Sequence, residues 1–353
     1  MKHLRVVRRL ALTLLVAATV VIPGRGIHAT PATAFSSSDS FRAIACGPNA
    51  STCVAVGRNG LMEVYSGSTW TRYKLRSAQT LHGAACPSGT YCVVVGAAST
   101  IEVHAFANYK WTWTRRTLAA GPGLSPAKMI LESVACVPGE TECTAVGSHG
   151  LIVDSHNDTY KDWSASGGSG QSPDLMGISC PSGTTCVIVG TGGTILVGPS
   201  WLHTSSGTTQ NLNAVTCFTH TSSTAISCVA VGTGGAIVTS PDILGKPWTS
   251  AAVNGLTSAV TKDLYAVACA TGPDAPPCLA VGQGGTELVS QNGGATWTSQ
   301  PGATAADLHA VASAGALNGV PLYLVAGSGG TFLICASTGK CAAPAKGGLT
   351  LPR

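Results

Sequence analysis

Short apolar runs, rather than helix-period stripes, organise this chain. One opening recurs seven times: an apolar start, a variable second position, small residues, then an apolar-small-Cys ending. Its copies are Phe41–Cys46, Leu81–Cys86, Leu131–Cys136, Leu175–Cys180, Leu212–Cys217, Leu264–Cys269 and Leu308–Ser313. The copies start 40, 50, 44, 37, 52 and 44 residues apart. Each unit continues with a second apolar run ending in glycine, as in Cys186-Val187-Ile188-Val189-Gly190, and then a glycine turn such as Thr191-Gly192-Gly193. A third short run follows (Thr194–Val197), and a Trp-bearing segment usually closes the unit: Trp70, Trp111 with Trp113, Trp163, Trp201, Trp248 and Trp297. Runs of four to eight residues between glycine turns predict four antiparallel strands per unit, A to D. A period near 40–45 residues is that of a four-stranded propeller blade; helical repeats recur at about 33 residues and leucine-rich repeats below about 30.

A lone blade with apolar residues on both faces cannot cover them, whereas seven in a ring cover one another and leave only short edges. The expected fold is therefore all-β, a seven-bladed β-propeller of four-stranded antiparallel blades, over residues 35–353. An open β-solenoid is the alternative; its repeats are usually shorter and lack a closing Trp strand.

The cysteines fit this frame. Cys46/Cys53, Cys86/Cys92, Cys136/Cys143, Cys180/Cys186, Cys217/Cys228 and Cys269/Cys278 each end one strand A and begin the next strand B. That places each pair at a hairpin base, where Cβ atoms approach to bonding distance. Zinc is the other reading, but no Cys-x-x-Cys occurs and no histidine keeps a fixed offset from a pair. Unit seven departs: Ser313 replaces a cysteine, the closing Trp is missing, and Cys335/Cys341 flank its C–D turn. Its fourth strand is expected from the tail near Gly347–Leu351 or from Ser36–Ser40, with a Cys335–Cys341 bridge pinning the seam.

Residues 1–34 read differently. A basic stretch (Lys2, Arg5, Arg8, Arg9) precedes a thirteen-residue apolar run, Leu10–Ile22, then Pro23-Gly24 and the small-x-small Ala32-Thr33-Ala34. This is the order of a secretory signal peptide; thirteen residues is short for the rival reading, a membrane anchor. A secreted or extracytoplasmic setting makes an even 14 cysteines most naturally disulfides. Without the leader, Lys+Arg falls from 20 to 15 against 15 Asp+Glu, so bulk charge gives no reason to expect nucleic acid as a partner. No later apolar run approaches the roughly 18 residues of a membrane span. At 10% charged and 44% apolar residues the chain is also far from a disordered composition.

The Leu-x-Ala-Val opening, the Ala-Val-Gly-x-Gly-Gly turn and the Gly-Gly-x-Thr-Trp ending resemble photosystem II assembly factor-type propellers, within the wider Asp-box (bacterial neuraminidase repeat) group. Ser290-Gln291-Asn292-Gly293-Gly294-Ala295-Thr296-Trp297 is similar to an Asp box, with Asn292 where that motif prefers Asp; Ser240-Pro241-Asp242 with Gly245 and Trp248 is a looser copy. The resemblance spans about 41–345 and implies a fold rather than an activity, since an Asp box is a structural hairpin. Paired cysteines in the early blades lie outside the photosynthetic pattern and suggest an extracytoplasmic, disulfide-rich variant.

The sialidase branch of that group uses an arginine triad with Tyr, Glu and Asp partners. Outside the leader there are seven arginines, Arg42, Arg58, Arg72, Arg76, Arg115, Arg116 and Arg353, and six lie in the first two units. A triad drawn from several blades is not available. No Gly-x-Ser-x-Gly, His-Glu-x-x-His or phosphate-loop pattern occurs, and aspartates are not spaced along the turns as calcium repeats require. The expectation is a non-enzymatic, monomeric binding scaffold for a protein or cell-surface polymer, with no catalytic residues, metal or cofactor. A carbohydrate-binding propeller and an Asp-box hydrolase with an unrecognised site are the alternatives.

Departures from the repeat show where function could be grafted. The second position of the opening is Arg42, His82, Glu132, Met176, Asn213, Tyr265 and His309. Strand A lines a propeller axis, so these residues should ring one mouth of the channel, beside the B–C turns. Three of those turns abandon plain glycine for Arg58-Asn59, Ala97-Ala98-Ser99 and Ser148-His149. The candidate ligand site is Arg42, Arg58, His82, Glu132, His149, Tyr265 and His309; the competing view is that an exposed mouth simply tolerates polar residues. Residues 70–116 carry a net +5 and residues 132–174 a net −6. Arg72, Lys74 and Arg76, alternating on an outermost strand, together with Arg115 and Arg116, either guard a sheet edge or form a basic docking sector for an acidic partner. The Trp residues either pack between blades or stack sugars. Asn49-Ala50-Ser51 and Asn157-Asp158-Thr159 match the glycan acceptor pattern.

Overall fold

The computed structural model describes residues 27–31 and 35–343, apart from 67–68, 76–77, 108–109, 117, 120–127, 141, 157–161, 168–172, 184, 255–260 and 273. Seven separate sheets follow one another along the chain, each with the strand order A-B-C-D in antiparallel pairing. Blade 1 is Phe41–Cys46, Thr52–Gly57, Leu61–Ser66 and Trp70–Leu75; blade 2 is Leu81–Ser88, Tyr91–Gly96, Thr100–Ala107 and Lys110–Arg116. Blade 3 comprises Leu131–Cys136, Cys143–Gly147, Ile152–His156 and Asp162–Gly167; blade 4 comprises Leu175–Ser182, Thr185–Gly190, Ile195–Val197 and Leu202–His203. Blade 5 has Leu212–Thr219, Ile226–Gly232, Ile237–Ser240 and Thr249–Ser250; blade 6 has Leu264–Cys269, Cys278–Gly282, Glu287–Ser290 and Thr296–Ser299. Blade 7 has Leu308–Leu317, Val320–Gly327, Phe332–Ala336 and Cys341–Ala342. Each strand A touches the next, and that of blade 7 returns to that of blade 1, so the molecule is a closed seven-bladed propeller.

The core is divided among the interfaces. Seven apolar clusters occur among the described residues, and each is drawn from two adjoining blades, such as Val54, Val56, Val94 and Cys92 between blades 1 and 2. This is why strands B are apolar at successive positions instead of alternating: both faces of every blade are covered. Trp70, Trp163, Trp248 and Trp297 are buried in these interfaces, and no described Trp side chain is exposed. All seven disulfides join Cys46–Cys53, Cys86–Cys92, Cys136–Cys143, Cys180–Cys186, Cys217–Cys228, Cys269–Cys278 and Cys335–Cys341.

Closure differs from the expectation in one respect. The fourth strand of blade 7 is Cys341–Ala342, paired on Ile334 and Cys335, and Ser36–Ser40 does not supply it. The chain turns at Ser337–Lys340, where Gly339 has φ +88°, and a two-residue strand suffices because the bridge holds it. Ser36–Ser40 instead crosses the seam: Ser40 bridges Ser328, the Asp39 carbonyl accepts the Gly330 N–H, and Phe35 stacks on Phe332 at 4.8 Å. Gly347–Leu351 lies outside the described residues.

Blade 1 carries a fifth strand, Ile27–Pro31, paired antiparallel along Thr71–Leu75. The cleavage expected after Ala34 would remove it and open that edge.

Candidate mouth site on the inner strands

The seven variable positions share one backbone device. In every blade the A–B register shifts between the first and third residues of the opening, as at Leu81/Gly83, leaving the second residue unpaired. Such a bulge re-aims its side chain and bends the strand. The glycine ending strand B makes the geometry possible: a Cβ on Gly57 or Gly232 would collide with the carbonyl oxygen of Ser40 or Asn211. That carbonyl accepts the N–H of the residue after the glycine, Arg58 at 3.0 Å and Thr233 at 2.9 Å.

Arg42, His82, Glu132, Met176, Asn213, Tyr265 and His309 all line one cavity of about 250 Å³. Within it, His82 Nδ1 lies 2.9 Å from Glu132 Oε2, joining blades 2 and 3. Asn213 Nδ2 donates to the Leu264 carbonyl at 2.8 Å. The rings of Tyr265 and His309 lie 5.1 Å apart, and His309 Nε2 is 3.0 Å from Ser328 Oγ. Burial, then the Arg42 charge, pushes the His309 pKa down to about 4, so it is neutral at pH 7. Arg42 is half-buried; burial and the neighbouring Arg58 lower its pKa, against the pull of Glu132 and Tyr265. Its Nε is buried without a hydrogen-bond partner among the described residues.

Five of the seven candidate site residues therefore meet in the cavity. Arg58 is exposed on the B–C turn of blade 1, outside the lining, although its charge is felt by Arg42 and His309. His149 is exposed on the turn of blade 3, outside the lining, at φ +59°. Its N–H donates to Asp174 Oδ1 at 2.8 Å, the same latch that Gly234 and Gly284 make to Asp263 and Asp307. Met176 and Asn213, the two mouth positions left out of the candidate set, line the cavity equally.

In the basic sector two arginines pair with buried glutamates. Glu63 and Arg72 are cross-strand partners with Oε1 and Nε 2.6 Å apart, and Arg72 also reaches Asp39 at 2.6 Å. Glu102 and Arg115 are cross-strand partners at 4.0 Å. Burial outweighs the arginines and raises both carboxyl pKa values to about 7. Arg116 is half-buried with an unpartnered Nε. Lys74 is aligned between Leu61 and His28, so the strand is no edge while Ile27–Pro31 is present. Arg76 lies outside the described residues, as does Asn157-Asp158-Thr159; Asn49-Ala50-Ser51 begins in a short 3-10 turn after strand A of blade 1. The buried glutamates escaped the sequence reading, although Glu63 and Glu102 each stand between two apolar residues of a strand-C run.

No protein-family profile matches this sequence, and no curated protein matches it. Among solved structures the chain is similar to one described as YCF48 bound to D1 peptide, with a TM-score of 0.60 at 16% identity. The match covers 92% of this chain and 99% of that one. At that identity the likeness is one of fold.

Proposed function

We propose that this chain is an extracytoplasmic, non-enzymatic scaffold whose strand-A mouth binds a segment of a partner protein carrying an acidic side chain. The observation that carries this reading is the set of seven bulged side chains converging on one cavity, with the Arg42 Nε idle at its wall. A volume of about 250 Å³ suits one inserted side chain rather than a folded surface. With His309 neutral and Glu132 held by His82, the Arg42 and Arg58 charges favour an anion. The peptide held by the similar YCF48 structure supports a peptide as the ligand class. Seven bridged cysteine pairs and the signal-like leader support an oxidising, extracytoplasmic setting; no helix among the described residues is long and apolar enough to cross a membrane.

A peptide array spanning acidic, neutral and basic sequences tests it. Acidic peptides should bind, and Arg42→Ala should weaken them by about tenfold or more, the scale of a lost charge-assisted hydrogen bond. Binding of neutral or basic peptides unchanged by Arg42→Ala, or binding only of polysaccharide, would refute it.

A further inference from the structure

Two departures from the repeat meet at one place. Six bridges join strands A and B, but Cys335–Cys341 joins strands C and D of blade 7. Strands C also carry three buried glutamates, Glu63, Glu102 and Glu287, at 0%, 3% and 1% exposure. The first two face Arg72 and Arg115 on the adjoining strand D. Among the described residues Glu287 faces no such cation: strand D of blade 6 ends at Ser299, and the next residue, Gln300, donates its N–H to the Glu287 carbonyl at 2.9 Å. Glu287 Oε1 accepts the Ala303 N–H at 3.1 Å, while Oε2 is buried with no hydrogen-bond partner among the described residues.

Leaving a buried carboxyl oxygen idle is unfavourable, and the repeat's own solution, an arginine, is absent here. The carboxylate stands instead against the disulfide of the next blade, with one carboxylate oxygen and both Sγ atoms within 4.8 Å of one another. Cys335 is fully buried and Cys341 only partly. Burial also raises the Glu287 pKa, against the pull of the Ala303 N–H, which favours the protonated carboxyl. Lys340, exposed and next to Cys341 in the chain, adds positive charge where an anionic nucleophile would approach.

We propose that Cys335, Cys341 and Glu287 form a thiol–disulfide exchange site for an external dithiol or its disulfide. In the reducing direction a thiolate of the dithiol attacks Cys341 Sγ, forming a mixed disulfide. The Cys335–Cys341 bond breaks and its electron pair passes to Cys335 Sγ. The Glu287 carboxyl gives that sulfur its proton, so no bare thiolate is left in apolar surroundings, and Glu287 is reprotonated from solvent. The partner's second thiolate then attacks the partner's own sulfur in the mixed disulfide, releasing Cys341, which takes a proton from water. Two electrons and, through the solvent, two protons have passed from the dithiol to the cysteine pair. In the oxidising direction the Glu287 carboxylate removes the Cys335 proton. The site lies on strands C and D, away from the strand-A mouth, and goes beyond the binding reading.

The test treats the folded, full-length protein with dithiothreitol in the absence of denaturant, traps thiols by alkylation at intervals, and maps all seven pairs by mass spectrometry. Cys335–Cys341 should open at least about tenfold faster than any A–B bridge. Glu287→Gln should slow that opening by about tenfold or more and leave the other six unchanged. Opening no faster than the six hairpin bridges overturns the proposal, as does an unchanged rate in Glu287→Gln; if that variant does not fold, the wild-type ranking alone decides.

Discussion

Buried charge is where single residues depart furthest from what the fold demands. Glu102 is buried with its arginine 4.0 Å away, and its pKa is raised from 4.5 to about 7. A carboxyl with a raised folded-state pKa contributes full stability below its unfolded value, and that contribution is lost as pH rises through about 7. Glu102→Gln removes this ionisation. The variant should match wild type near pH 4.5 and exceed it by about 1–3 kcal/mol at pH 8, measured by denaturant unfolding at both values. The bulge glycines act through space rather than through φ. Gly232 has an extended φ of −163°, yet a Cβ there meets the Asn211 carbonyl. Gly232→Ala should therefore cost about 1–3 kcal/mol in the same assay, as overpacking does; an unchanged midpoint would mean that the bulge yields freely.

At the scale of elements, the A–B hairpin is the unit that the sequence states most openly. Cysteines six to eleven residues apart in the first six units bridge as their spacing predicts, because a hairpin base is set locally. Replacing both Cys180 and Cys186 by serine should lower stability by about 2–3 kcal/mol on the loop-entropy account; a loss below about 0.5 kcal/mol would show that the reduced hairpin already holds its shape. The same spacing rule also contained the closing strand of blade 7, since Cys335 and Cys341 are separated by six, like Cys180 and Cys186. Its two residues carry no β-pattern of their own, so the pattern of apolar runs does not reveal this strand. The mouth was legible as a set of variable positions, but its bulges were not: one unpaired residue leaves the sequence of apolar and small residues unchanged. Pairs such as Glu63 with Arg72 were hidden for a different reason, because they sit on facing strands nine residues apart and only the C–D register brings them together.

For the whole molecule the problem is closing a ring of seven weakly self-sufficient sheets. Asp174, Asp263 and Asp307 each accept a turn N–H from the preceding blade, and Asn211 does the same for Gly192 at 2.9 Å. The corresponding positions at the other three junctions are Ser40, Thr80 and Ile130, which have no side-chain carboxylate or amide to accept it. The seam between blades 7 and 1 relies on Phe35 against Phe332 and on Asp39 held by Arg72. Asp39→Ala should loosen it, raising amide exchange at Gly330 and Ser40 more than in blades 4 to 6; uniform exchange would place the closure elsewhere. These turns surround the mouth, so rigidity there serves the cavity. Hydrogen–deuterium exchange of the protein with and without a bound acidic peptide is the most direct measurement of that role. The account predicts new protection on strands A and the B–C turns of blades 1 and 7, around Arg42, Arg58 and His309, abolished by Arg42→Ala. Protection confined to the outer strands, Trp70–Leu75 and Lys110–Arg116, would contradict it.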